Sequence, residues 1–522
     1  MKTTIKNLIL SAVLVVGGAS CVDLDTAPYD RETDLTYWEE DPEAAVKALN
    51  TCYTYLGNMA EQLYCEAMTD NAYTKQPNDA TQNIGNGSYS TADPYVKKVW
   101  DGRYTGIRMC NELLENIDRV PDLDPELKKR YIGEAKVLRA YNYYELYTKF
   151  GDVPYTTKVL SIKESMSIAR TAKATVIANV LADLDEVING NYLPTSYDAD
   201  NKGRITRWAA MAIKAKIYLF EGNWTQVKNI TSTIMTEGGF KLFESYAGLF
   251  EIANEYNSEV ILDAQYRPTS REHQMMYAFL PPSLGGYSQL SPLQELVDSY
   301  IMLDGKTIKE TGTSFDESHP YANRDPRLKA TVMYTGNSYT LADGTEVVIN
   351  CEKGEGKDGY GVGSDCSATG YYIKKYWDNT YRATLYSGLN PILIRYADIL
   401  LMNAEALAEL GELDKTAWDA TIKPIRDRAG FTLASAVEFP EGASKDKLIE
   451  IVRNERRSEL ALEGHRHKDI IRWRIADDVL NGWCHGLKTN EVVGTDNGYV
   501  RVENRAFNAN KHYLWPIPQA ER

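Results

Sequence analysis

Past its first twenty residues the 522-residue chain has no uncharged apolar run approaching the roughly 20 residues that a bilayer-crossing helix needs. A protein built from transmembrane helices is thereby excluded. Neither GxSxG nor HExxH occurs, so the serine turn of a hydrolase and the paired-histidine zinc helix are both missing. The 7 cysteines include no CxxC spacing and histidine numbers only 6, which leaves no metal-type cluster to read. His465 and His467 stand two apart, a spacing that points them in different directions on a helix, and Arg466 and Lys468 beside them repel a cation. Basic side chains are outnumbered, 58 against 73 acidic, and the net charge of -15 opposes nucleic acid or an anionic lipid surface as partner. A neutral ligand is compatible with it.

Two apparent motifs dissolve on inspection. Gly354, Gly356 and Gly359 spell GxGxxG, but no strand leads in and no helix follows to aim its N-terminus at a phosphate, so this is a glycine-rich turn. Asp198 to Gly203 imitates the start of a calcium loop, yet Lys202 replaces an oxygen ligand and Ala209 stands where the closing Glu belongs. No cofactor or metal is expected.

What is present begins with a leader. Lys2 and Lys6 precede the apolar stretch from Leu8 to Val16 and the small residues Gly17, Gly18, Ala19 and Ser20, the pattern of a secretory signal peptide over residues 1–20. Gly18-Ala19-Ser20-Cys21 looks like a bacterial lipobox, although a larger aliphatic residue is more usual where Gly18 stands. Cys21 is therefore the expected lipidated residue, with residues 21–34 as a tether. Cys21-Val22-Asp23-Leu24-Asp25 resembles the acidic tag that sends Bacteroidetes lipoproteins to the outer face of the outer membrane.

About 500 residues remain, expected to form one domain over 35–522. Helical periodicity is strong over Tyr131 to Phe150, Thr206 to Phe220 and Ile394 to Leu410, and a longer charged helix is predicted from Lys447 to Trp473. Thr206 reads as an N-cap, while Gly151, Gly222 and Gly411 read as stops. Two Ala-rich helices run through a short Gly turn into a partner bearing Trp224 or Trp418, which is the helical hairpin of tetratricopeptide-like repeats. Between about 250 and 390 the chain turns to short alternating runs broken by Gly and Pro. The expected fold class is mainly α: a tetratricopeptide-like scaffold over about 35–249 and 391–522, with a large irregular insertion of loops and short strands over about 250–390. Among the cysteines, Cys110 reads as a buried thiol, and Cys351 with Cys366 could close a loop.

Blocks along most of the chain resemble one family. They include Met68-Thr69-Asp70-Asn71-Ala72-Tyr73, Gly133-Glu134-Ala135-Lys136-Val137-Leu138-Arg139-Ala140 and Phe150-Gly151-Asp152-Val153-Pro154. Asn323-Arg324-Asp325-Pro326-Arg327-Leu328, Ile394-Arg395-Tyr396-Ala397-Asp398, Glu455-Arg456-Arg457-Ser458-Glu459-Leu460 and Leu514-Trp515-Pro516-Ile517-Pro518 continue the series. The chain is similar to the SusD-like (starch-utilisation-system D, also RagB) family. The resemblance implies an α-helical outer-membrane lipoprotein that binds glycans without cleaving them and hands them to a TonB-dependent, SusC-like transporter. A minority of such proteins bind peptides, so that alternative stays open, and a surface glycoside hydrolase is the enzymatic rival.

Glu455, Glu459 and Glu463 at i, i+4 and i+8 look like a catalytic carboxylate stripe. Arg453, Arg456, Arg457 and Arg466 lie within a turn, and an adjacent guanidinium keeps a carboxylate ionised, the opposite of a general acid's need. An ion-pair network is expected instead, with Arg395 and Asp398 pairing in the same way. The positive signal is aromatic, with 36 Tyr and 9 Trp against 10 Phe. A flat ring stacks on the C–H face of a sugar while hydroxyl and amide groups bond its rim. Tyr143, Tyr144, Tyr147 and Tyr218 are assigned to helix packing. The ligand-binding candidates sit on loops: Tyr73, Gln76 and Asn78 after the Thr-Asp-Asn block, and Tyr277 and Tyr287 around the Pro-Gly turn of the insertion.

Overall fold

The computed structural model describes residues 33–76, 81–381 and 384–522. The signal peptide, Cys21 and Asn78 lie outside the described residues. Helices dominate, and local chemistry explains where they start. Asp93 and Asp124 each precede a proline; their carboxylates accept from Tyr95 N (2.9 Å) and Leu127 N (2.9 Å), opening Pro94–Asn116 and Pro125–Phe150. Thr206 caps Arg207–Phe220 by accepting from Ala209 N (3.2 Å), and Gly411 ends Tyr396–Leu410 in the left-handed region at φ +73°.

Successive helices pack against one another. Ala44–Tyr53 lies on Pro94–Asn116 and Pro125–Phe150; Lys173–Asn189, Arg207–Phe220 and Trp224–Glu237 follow in turn. Trp224–Glu237 then packs on Tyr396–Leu410, which carries Lys415–Ala429 and Lys445–Glu459, so the scaffold resumes across the insertion as if uninterrupted. Small residues such as Ala209, Ala210, Ala212, Ala404 and Ala408 are buried at these seams and let the helices approach. Tyr143, Tyr144 and Tyr147 are buried in the scaffold core and Tyr218 packs against it, while Trp418 is fully enclosed with its indole N–H donating to Val437 O (2.8 Å). Each buried ring removes apolar surface from water at about 25 cal/mol per Å².

The insertion is closed at its root. Val260–Asp263 pairs antiparallel with Ile392–Arg395, and Tyr396 N donates to Glu259 O (2.8 Å), so the chain leaves and rejoins the helices at one place. Its own apolar core gathers Phe279, Leu290, Leu296, Tyr300, Tyr339 and Tyr372 around short two-stranded ladders. A C-terminal hairpin of Asn481–Lys488 and Tyr499–Ala506 then packs beside it. The fold is a mainly α, tetratricopeptide-like scaffold carrying a strand-and-loop insertion.

Four expectations are corrected. Lys447 to Trp473 is not one helix: Lys445–Glu459 stops, and Arg466–Arg472 begins after a break. Leu462 and Gly464 have φ of +63° and +79° there, and Gly464 sits against Gln62 and Cys65, where a Cβ would lie 3.2 Å from the Cys65 sulfur. Ile394 and Arg395 belong to a strand, with the helix starting at Tyr396. Arg395 therefore pairs with Glu259, Glu459 and Glu463, and Asp398 with Lys216 and Arg456, rather than with each other. Finally, Cys351 and Cys366 are both free and buried; the Cys366 thiol instead donates to Lys357 O (3.2 Å). Cys110 is a buried free thiol, as its helical position predicts.

Candidate functional site

The glutamate stripe is a structural hub whose partners come from other elements. Glu455 meets Arg327 (2.7 Å) and Arg426 (2.7 Å), Glu459 meets Arg327 (2.9 Å), Arg395 (2.6 Å) and Arg428, and Glu463 meets Arg395 (2.7 Å) and Lys375 (2.7 Å). Burial alone would raise the Glu459 carboxyl, but Arg428, Arg395 and Arg327 outweigh it and hold it well below the ordinary carboxylate range. Burial brings the Lys375 ammonium down to about 8 even beside Glu463. Arg327 and Lys375 belong to the insertion and the glutamates to the scaffold side, so the network fixes one body on the other. The arginines nearest in sequence serve elsewhere, Arg457 and Arg466 on Asp70 (2.9 and 2.8 Å) and Arg453 on Glu409 (2.9 Å).

That Asp70 clamp positions the first candidate segment. Asn71 donates to Glu66 (2.8 Å) and accepts from Arg457 Nε (3.0 Å), which seats the Thr-Asp-Asn block before Ala72–Thr74. This strand pairs antiparallel with Leu290–Pro292, Tyr73 opposite Ser291, and Lys75 N donating to Gln289 O (2.9 Å) extends the ladder. Segments some two hundred residues apart in sequence thus become neighbours. The Tyr73 ring turns toward the C-terminal hairpin: its hydroxyl accepts from Gln82 Nε2 (3.4 Å), which also donates to Glu503 (3.0 Å). Gln76 is half-buried beside the ladder, its N–H on Thr74 Oγ1 (3.3 Å).

Tyr277 and Tyr287 come together. Tyr277 lies in Met275–Phe279, the chain reverses through Pro281–Gly286, and Tyr287 N donates to Tyr277 O (2.8 Å). Their rings stack with centroids 5.6 Å apart and planes inclined by 24°. Gly286 is required at the reversal, since a Cβ there would lie 2.1 Å from Leu280 O. Tyr287 remains 46% exposed and forms the wall of an open groove of about 760 Å³. Leu341 and Leu385 add apolar surface; Asp343, Asn379 and Thr380 add polar groups, with Thr380 Oγ1 donating to Asp378 (2.6 Å). Asp343 is the one carboxylate among the described lining residues. Tyr73 and Gln76 do not line this groove.

A more enclosed cavity of about 120 Å³ lies between the scaffold helices and Arg466–Arg472. Its charged walls are satisfied by each other, Arg103 with Glu61 (2.8 Å) and Glu145 with Lys149 (2.6 Å) and Lys468 (2.8 Å). Stacking surface with a polar rim is found at the tyrosine groove instead.

A family model described as the SusD family matches residues 249–522, more than half of the chain. The chain belongs to the SusD family. A second model, described as starch-binding and associating with the outer membrane, matches residues 37–219 of this SusD-family protein. It is 27% identical over 515 residues to the SusD-like protein P25 of Formosa agariphila, covering 91% of each chain. A SusD-like carbohydrate-binding protein from Bacteroides fragilis superposes with a TM-score of 0.82 at 29% identity, over 93% of this chain and 98% of its own. A further SusD-like protein of that organism gives a TM-score of 0.80 at 27% identity, over 95% and 98%. No helix among the described residues is long and apolar enough to cross a membrane. Sequence reading did not single out Asp343, Asn379, Thr380 or Leu385; nothing local marks them, because three separate stretches of the insertion supply the groove.

Proposed function

We propose that this SusD-family protein captures a neutral oligosaccharide or polysaccharide at the cell surface without cleaving it and delivers it to a TonB-dependent, SusC-like transporter. Lipid on Cys21 holds it to the outer leaflet, where several acyl chains at about 0.8 kcal/mol per buried CH₂ are adequate for anchoring. The observation that carries the reading is the Tyr277–Tyr287 stack in an open groove, a flat ring backed by another and faced by amide, hydroxyl and carboxylate groups. The binding reading is supported over the hydrolase rival, which needs two carboxylates about 5–9.5 Å apart, by the lining, where Asp343 is the one carboxylate among the described residues. Tyr73 and Gln76, on the segment that pairs with Leu290–Pro292, and Asn78, two residues further along the sequence, are proposed as further contacts, and the net charge of -15 favours neutral over acidic sugars.

Calorimetry of the protein lacking its first 21 residues, against polysaccharides, oligosaccharides and peptides with product analysis alongside, tests this. Saturable glycan binding without release of shortened sugars supports it. Cleavage products would overturn the non-enzymatic reading, and binding of peptides alone would overturn the ligand.

A further inference from the structure

We propose that the outer face of the C-terminal hairpin around Trp483 is a second sugar-contact site, which grips a neutral polysaccharide away from the tyrosine groove. The inference rests on the glycan-capture reading above. Trp483 is 43% exposed, while every other tryptophan of the chain is buried or half-buried. An exposed indole offers a flat apolar face with an N–H at its edge, the amphipathic surface on which the C–H face of a sugar stacks.

The strand pleat explains the orientation. Cys484, Glu503 and Arg505 face inward, Arg505 donating to Ala72 O (3.1 Å), which turns Trp483 and its cross-strand partner Asn504 outward. The Arg501 guanidinium stands 5.6 Å from the indole centroid. Asn481, Gly482, Arg501 and Asn504 around the ring are all exposed and none is an apolar side chain. A protein-docking tryptophan is expected within an apolar core ringed by polar groups; here an amide, Asn504, stands across the strand pair and a guanidinium, Arg501, beside the ring, donors that fit the hydroxyl rim of one sugar.

Charge narrows the occupant further. Arg501 Nε donates to Asp496 (2.8 Å), and His485 lies between Glu295 (2.8 Å) and Asp496 (3.0 Å), so the two basic groups of this face are matched by two carboxylates. No excess charge is left to attract an acidic polymer. Glu503, on the strand of Asn504, accepts from Gln82 (3.0 Å) and Asn86 (3.2 Å), and Gln82 reaches the Tyr73 hydroxyl (3.4 Å). The inner side of the hairpin thus rests on the segment bearing Tyr73, and Trp483 stands on its opposite, outer side.

The experiment compares wild type, Trp483→Ala, Trp483→Phe and Tyr287→Ala for binding of a neutral polysaccharide and of its short oligosaccharides. Trp483→Ala is expected to weaken polysaccharide binding about three- to tenfold, with Trp483→Phe retaining most of it and oligosaccharide affinity unchanged. Polysaccharide binding at wild-type strength in Trp483→Ala overturns the inference, as does loss of transporter association in its place. Weakening by Trp483→Ala alongside wild-type behaviour of Tyr287→Ala would uphold this face and overturn the groove. Absence of glycan binding by the wild type overturns both.

Discussion

Arg395 and Glu463 form a buried two-point pair, Nε to Oε2 at 2.8 Å and Nη2 to Oε1 at 2.7 Å, between the strand where the insertion rejoins the scaffold and the break after Lys445–Glu459. Arg395 also holds Glu259 (2.7 Å) and Glu459 (2.6 Å), so three buried carboxylates meet at this guanidinium, with Arg327, Arg428 and Lys375 as their further partners. Replacing it with Leu leaves those buried carboxylates short of one positive charge. We expect Arg395→Leu to cost about 3–5 kcal/mol or more, read as a fall in the urea midpoint at unchanged slope. A loss under about 1 kcal/mol would contradict the structural role.

The helical hairpins and the ion-pair role of Glu455, Glu459 and Glu463 were legible in sequence, whereas the distant partners of that network were not. Thr206, Gly411, Asp93-Pro94 and Asp124-Pro125 act through hydrogen bonds to residues two to four away, so their chemistry is local and readable. The three-residue spacing of Arg395 and Asp398 suggested an ion pair only on the premise that both lie in one helix, and the strand boundary at Arg395 voids that premise. Likewise the break at Leu462 and Gly464 is imposed by the close approach of Gln62 and Cys65, four hundred residues away in sequence. Of the candidate site, Tyr277 and Tyr287 were marked by their flanking Pro-Gly turn, whereas Asn379 and Thr380 carry no local signature.

The C-terminal hairpin should be clipped to the insertion in a pH-dependent way. Hydrogen bonding to Glu295, against some cost of burial and with help from Asp496, raises the His485 pKa, and Arg501 is the further charged group at the clip. A raised folded-state pKa means that the contribution is fully present below the unfolded value near 6.5 and is lost as pH rises through the folded one. Because the ring is partly exposed, about 1 kcal/mol or less is expected. Thermal melts from acidic to alkaline pH should show wild type losing its advantage over His485→Gln as pH rises; a constant difference would refute the clip.

Gly286 is the point at which backbone geometry controls the tyrosine stack. A Cβ at 2.1 Å from the Leu280 carbonyl oxygen must displace backbone, since no flexible side chain is there to yield. Gly286→Ala should cost about 1–3 kcal/mol of stability and weaken glycan binding together. Calorimetric titration beside a denaturation curve checks it, and full affinity in a destabilised variant would show that the turn does not set the groove.

Tyr287 itself separates ring from hydroxyl. Its ring is stacked on Tyr277, nearly half exposed and part of the groove lining, so one face is left for a sugar. Tyr287→Phe keeps the stacking face and should lose at most the worth of one hydrogen bond, about 0.5–1.5 kcal/mol. Tyr287→Ala removes both and also exposes Tyr277, which should weaken binding at least about tenfold, with little change in stability because the side chain is already half in water. If Tyr287→Phe lost as much as Tyr287→Ala, the hydroxyl rather than the ring face would be the principal contact, and stacking would no longer account for recognition at this groove.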